Sequence, residues 1–180
     1  MLSMEGTGRR LATPEEAKAM AHPLRLRVLR LCLDQALTNK QLADRLGRDP
    51  GTVLHHVRLL VSTGFLVPDQ VRQGEHGALE KPYRATRKSW MLDFGTGDRR
   101  GLFQAALEAF RAELEEAGPD AMATYTRLGL TLGDASLKEL QERLDAVIGD
   151  FAARPPDPDG KPYGLYLAIH RRRLAQDGGT

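Results

Sequence analysis

Two histidines stand side by side at positions 55 and 56, and Arg58 follows on the same stretch, RDPGTVLHHVRLLVSTGFL, residues 48–66. Residues of these types could hold a metal, carry a proton, fill a core or face a nucleic acid. Metal binding fits poorly. Neighbours on a helix project about 100° apart, so His55 and His56 cannot close on one ion, and a zinc pair would stand at i, i+4. Cys32 is the one cysteine of the chain. It excludes an internal disulfide framework and any multi-cysteine zinc site. Catalysis lacks material: there is no phosphate-binding glycine loop, no GxSxG and no HExxH, and the five histidines are scattered. Neither an enzyme, nor a metal, nor a bound cofactor is expected.

The elements that must position these side chains are well marked. Thr13-Pro14-Glu15-Glu16 is a capping box with proline at N1, opening a short helix to about Met20. His22-Pro23 starts a second helix, with Leu24, Val28, Leu31 and Cys32 on one apolar face and Arg25, Arg27 and Arg30 mostly off it. Thr38-Asn39-Lys40-Gln41 is another capping box. Its helix carries Leu42, Ala43 and Leu46 inward and stops at Gly47. Asp49 then caps a helix with Pro50 at N1 that runs to Thr63, with Gly64 as the residue beyond its end. Two short helices joined by a tight turn have helix-turn-helix geometry. The period then changes. FLVPDQV and EKPYRAT are extended, and RQGEHGAL between them reads as a turn. The pair forms a β-hairpin, and a helix-turn-helix followed by a hairpin is a winged helix.

Projected at about 100° per residue, Val53, Val57 and Leu60 of the 50–63 helix face the core. Gly51, His55, Arg58 and Ser62 fall on the opposite side, with Thr52 and Leu54 on the flanks. His56 lies beside the core face and reads as a packing or phosphate residue. In the hairpin, Arg72, Gln73 and His76 occupy the tip, and Lys81 and Arg84 the return strand. Lys40 and the first-turn amides after Thr38 are placed to hold a phosphate.

The second half is less explicit. WMLDFGTG connects to an amphipathic helix from Gly101 to about Glu116, with Phe103, Ala106, Leu107, Phe110 and Leu114 as its stripe. TYTRLGLTL alternates, Ser136-Leu137-Lys138-Glu139 caps a helix, and YGLYLAIH reads as a last strand. That helix should bury Leu137, Leu140, Leu144, Val147, Ile148 and Phe151. The expected fold is mainly α with a β-hairpin wing, followed by a small α+β domain. Residues 1–12 read as a mobile tail, 13–97 as the winged helix-turn-helix, and 98–180 as a dimerisation or effector domain. Two strands are too few to stand alone, so they need a partner sheet, a covering helix or a second subunit.

Bulk composition agrees with a folded protein: hydrophobic residues make up 41%. No apolar run is long enough to span a bilayer, and the first residues lack the apolar region of a signal peptide. A cytoplasmic protein with no membrane partner is expected. Net charge is +2 but uneven. Residues 1–97 hold 15 basic against 10 acidic side chains, and 98–180 hold 11 against 14. A basic front suits a polyanion.

The segments AHPLRLRVLRL, LTNKQLADRLGRDPGTVLHHVRLLVSTGFL and EKPYRAT, within residues 21–86, resemble the winged-helix domain of the ArsR-type bacterial transcription regulators in order and spacing. The resemblance covers roughly a third of the chain and does not reach its second half. It implies that the 50–63 helix enters the major groove of double-stranded DNA. It also implies that Gly51, Thr52, Leu54 and His55 read base edges, and that Arg58 reaches a guanine or a phosphate. These residue types suit base reading, since glycine permits close approach, threonine and histidine hydrogen-bond, and leucine contacts a thymine methyl. Arg72, His76, Lys81 and Arg84 of the wing would lie along the backbone or in the minor groove. One departure matters. Metal-sensing members carry paired cysteines or histidine-carboxylate clusters, and this chain has one cysteine on a core stripe. The alternative, a winged helix used for protein contacts, would want apolar residues on the outer face of the 50–63 helix. The expected reading is a homodimeric regulator of transcription, with a small-molecule effector as a further possible partner.

Overall fold

The computed structural model describes residues 9–74, 77–95 and 99–172. His76 and residues 1–8 lie outside the described residues, so the expectations placed on them have no structural counterpart here. Helix α1 spans Pro14–Met20. The Thr13 hydroxyl accepts from the Glu16 amide at 3.2 Å, and the Glu16 carboxylate accepts from the Thr13 amide at 2.8 Å, the reciprocal box its residues announce. Helix α2, Pro23–Leu31, is capped by His22, whose Nδ1 accepts from the Leu24 amide. Helix α3, Asn39–Leu46, starts with the Thr38–Gln41 box and ends at Gly47 with φ 59, a left-handed turn that glycine takes without a Cβ clash. Helix α4, Pro50–Ser62, is opened by the Asp49 carboxylate accepting from the Thr52 amide at 3.0 Å.

Among the described residues seven short strands complete the winged unit: β1 Arg10–Leu11, β2 Leu37–Thr38, β3 Leu66–Pro68, β4 Arg72–Gln73, β5 Leu79–Glu80, β6 Pro82–Ala85 and β7 Leu92–Asp93. The wing is the antiparallel pair β3–β6, with Leu66 opposite Ala85, extended outward by β4–β5. β2 adds a third strand on the other edge of β6. β1 pairs in parallel with β7. Residues 10–12 are therefore not part of a mobile tail. Arg10 makes two hydrogen bonds to the Glu16 carboxylate, at 2.7 and 2.9 Å, and the Ala12 amide donates to the Asp93 carbonyl. A two-residue strand has too little sequence to show a period, which is why β1, β2 and β7 were not foreseen.

The core gathers Val28, Cys32, Leu42, Val53, Val57, Leu60, Phe65 and Leu66, all essentially without solvent contact. Burial pushes the Cys32 thiol up to about 11, so it stays protonated and behaves as a small apolar residue.

Helix α5, Arg99–Ala117, packs on α2, but through Ala105 and Ala109. The large residues of the expected stripe divide. Phe103 and Leu107 are exposed, and Phe110 meets Tyr166. Small side chains let two helix axes approach closely, and alanine carries little weight in a hydrophobic stripe. Helix α6, Asp134–Ala153, begins two residues before Ser136, with Gly133 at its N-cap and no side-chain cap. None of its residues is buried, and Val147 and Phe151 are exposed, contrary to the expectation. Residues 124–132 and 163–170, read as an alternating segment and a strand, form no strand. Alternation supplies an apolar face, but a strand also needs an edge to pair with, and these segments meet none among the described residues. Among the described residues no helix is long and apolar enough to cross a membrane.

Candidate nucleic-acid interface

The interface is built on α3 and α4. Leu42, Ala43 and Leu46 of the first pack against Val53, Val57 and Leu60 of the second, all buried. The Asn39 side-chain amide donates to the Pro50 carbonyl at 2.9 Å, tying the first turns of the two helices together. The residues before Asn39 signalled only a helix start, so this clamp was not read from the sequence.

With its inner face so held, α4 turns Gly51, Thr52, His55, Arg58 and Ser62 to solvent. Leu54 is half-buried on the flank. The Thr52 hydroxyl lies 3.5 Å from the Asp49 carboxylate, at the limit of a hydrogen bond, so it is largely available to another partner. Lys40 on the first turn of α3 is exposed. So is Arg48 in the inter-helix turn, a cation that the sequence reading did not single out. Lys40, Arg48 and Arg58 form no ion pair among the described residues.

The wing differs from expectation in its charges. Arg72 donates to Glu80 at 3.0 Å and to the Gln41 side chain at 3.3 Å, and Arg84 donates to Asp69 at 2.9 Å. Both guanidiniums remain about half exposed (47% and 48%) and can still meet a phosphate, but each does so beside a carboxylate. Asp69 is held below its ordinary range by the Gln70 amide and by Arg84, so it stays charged. Lys81 is exposed and without an ion pair among the described residues.

Behind the exposed face lies a cluster that periodicity did not foresee. Arg25 is 7% exposed, not off the core. Its Nε donates to the Ala19 carbonyl at 2.5 Å and one Nη to the Lys18 carbonyl at 2.7 Å, which satisfies the open end of α1. Its other Nη lies 3.3 Å from His56 Nδ1. A guanidinium only donates, so His56 accepts there as a neutral ring. The His56 ring also meets His22 at 4.5 Å and His55 at 5.6 Å between centroids. Of its two sequence readings, packing is the one the structure supports. Burial, then His22, Arg25 and His55, lower the His56 pKa to about 4, and burial and Arg25 lower His22 while Glu108 opposes.

A His56 pKa below its unfolded value of about 6.5 makes the neutral ring stabilising. That contribution is complete above pH 6.5 and is lost as pH falls toward 4, because the unfolded chain takes up the proton first. The thermal midpoint should therefore fall across this window, and less steeply in His56→Gln. Identical pH slopes for the two proteins would remove His56 from the account.

Among the described residues no three His, Cys, Asp or Glu side chains are placed to hold a metal ion. Residues 20–68 match the helix-turn-helix domain family HTH_20. No protein of curated function matches the sequence. Several solved structures are similar. Reduced HlyU from Vibrio cholerae is 21% identical, with 50% of this chain and 77% of that one covered and a TM-score of 0.33. ZitR from Lactococcus lactis, a mutant in apo form, is 14% identical over 73% and 83%, with a TM-score of 0.34. MepR from S. aureus in complex with DNA is 15% identical over 77% and 80%, with a TM-score of 0.28.

Proposed function

We propose that this chain is a homodimeric, sequence-specific DNA-binding regulator of transcription of the ArsR type, acting in the cytoplasm. The observation that carries the reading is the sidedness of α4. Val53, Val57 and Leu60 are fully buried, and Gly51, Thr52, His55 and Arg58 face solvent with no large apolar residue among them. A protein-docking helix would show apolar anchors there. In this reading α4 enters the major groove, and Thr52, Leu54 and His55 meet base edges. Lys40, Arg58, Arg72, Lys81 and Arg84 meet phosphates or groove walls.

The second copy is supported by what one chain leaves uncovered. Phe103 and Leu107 of α5 are exposed. So are Leu128, Leu130 and Leu132, and Leu165, Leu167 and Ile169, on two extended segments with no strand partner among the described residues. Large apolar side chains left uncovered in this number favour a partner surface. A second chain would supply both a cover and an edge, in an isologous interface built by residues 98–180.

Binding to genomic fragments, followed by fluorescence anisotropy, tests this. A dimer with about six phosphate contacts should give a log–log salt slope near −5. Sedimentation should find a dimer at micromolar concentration, and footprints should be imperfect palindromes with half-site centres about 10–11 base pairs apart, or a multiple of that. A slope near zero would defeat the DNA reading. A monomer protecting one asymmetric half-site would defeat the dimer.

A further inference from the structure

Helix α4 ends at Thr63 with no basic residue of its own in the last turn. The last carbonyls of a helix lack intrahelical donors, and its C-terminus carries partial negative charge. A cation from 25 residues further along the chain meets them. The Lys88 ammonium donates to the Thr63 carbonyl at 2.6 Å and pairs with the Glu16 carboxylate of α1 at 2.5 Å. It also stands over the Phe65 ring, 5.2 Å from the centroid. An ammonium has three donors, and three neighbours occupy it.

The backbone serves that reach. Gly64 (φ 72) leaves room, since a Cβ there would stand 3.4 Å from the Lys88 nitrogen. Arg87 is the one non-glycine residue with positive φ (60°) among the described residues, a conformation that the surrounding structure must impose. It turns the chain from the wing into a short 3-10 helix, Lys88–Met91. The Thr86 hydroxyl donates to the Gly64 carbonyl at 2.9 Å and accepts from the Lys88 amide at 3.3 Å. Glu16 is equally committed. It is 5% exposed, and a buried charge is costly unless it is paired and hydrogen-bonded. Arg10 of β1, Lys88 and the Thr13 amide hold it well below the usual carboxylate range. The N-terminal strand, α1, the end of the wing and α4 therefore meet at one largely buried ion pair. Stability alone does not call for such a pair, because packed apolar residues often do as well. What the pair fixes is a direction. The other end of α4 is tied to α3 through Asn39 and the Pro50 carbonyl, so Lys88 supplies the second point that defines the helix axis.

We propose that Glu16 and Lys88 are positioning residues that latch the C-terminal end of α4 and hold its outer face in register with base edges. Hydrogen bonds to bases tolerate only a narrow range of distance, so a released helix end loses them while contacts to phosphates persist. The positioning role rests on the DNA-binding reading above, whereas the latch itself does not.

The test uses the full chain, the operator defined by footprinting and a scrambled duplex. Glu16→Gln makes the chain more basic, so charge alone would tighten binding to any duplex. The latch predicts the opposite on the operator. Binding there should weaken about tenfold, the scale of one hydrogen bond to a charged group, while scrambled-duplex binding is undiminished. Lys88→Met should lower the ratio of operator to scrambled affinity about tenfold as well, with the salt slope unchanged. The double variant should lose no more than either single one. Unfolding lowers both affinities alike, so a merely structural role leaves the ratio where it was. If Glu16→Gln fails to fold, Lys88→Met, which leaves the carboxylate on Arg10, decides by the same ratio. In the DNA-free chain, the Thr63, Gly64 and Phe65 amides close the end of α4. Their hydrogen exchange should quicken about tenfold in Lys88→Met, while the amides of residues 53–57 keep their protection. An unchanged affinity ratio overturns the positioning role. Unchanged exchange overturns the latch. Faster exchange in a chain that selects no duplex upholds the latch and overturns the regulator reading instead.

Discussion

His55→Ala and Arg58→Ala should each weaken operator binding by roughly 1–3 kcal/mol per half-site, and a symmetric dimer loses that amount at both half-sites. The chain should stay folded. Both side chains are exposed on α4, and neither makes a hydrogen bond or ion pair within the described residues; the His55 ring meets only the edge of His56. The two substitutions should also differ in kind. If Arg58 sits on a phosphate, Arg58→Ala weakens all sequences alike and lowers the salt slope by about 1. If it reads a guanine, it relaxes specificity at one base pair. Anisotropy titrations on the operator and on a scrambled duplex, at several salt concentrations, separate these. Should either substitution unfold the chain while sparing affinity, the assignment of the two faces of α4 is wrong.

Leu60→Ala should have the largest effect on stability, roughly 2–5 kcal/mol. Leu60 is on the inner face of α4 without solvent contact, within the cluster that joins α3, α4 and the wing. Truncation removes buried apolar contacts and leaves a hole that the rigid junction of two capped helices cannot fill by collapse. Against a typical total of about 5–15 kcal/mol, this is a loss that urea titration resolves easily. DNA affinity should fall only in proportion to the unfolded fraction, because Leu60 faces away from the duplex. A loss well under 1 kcal/mol would mean that α4 is not anchored through this face.

The local events were legible because their causes are local. A capping box is four residues of side-chain and backbone geometry, so α1 and α3 begin where Thr13 and Thr38 announce them. A stop at Gly47 needs only a residue that tolerates φ 59. The sidedness of α4 follows from the helical repeat alone, since Val53, Val57 and Leu60 must share one side. With the hairpin after Gly64, these signals suffice for a winged helix and for the face that a duplex would meet.

What the sequence left open depends on neighbours that no local pattern names. Periodicity placed Arg25 off the core. The structure buries it, because the end of α1 presents two carbonyls that a guanidinium can satisfy. Arg72 and Arg84 read as free wing cations, but strand register set them beside Glu80 and Asp69. The stripe of α5 pointed to its large residues, whereas close packing on α2 selected Ala105 and Ala109. In residues 124–132 and 163–170 the alternation is present and the strands are not. Alternation expresses which side chains prefer to be dry, but a strand's hydrogen bonds belong to a pair, and an edge to pair with is a property of tertiary and quaternary structure alone.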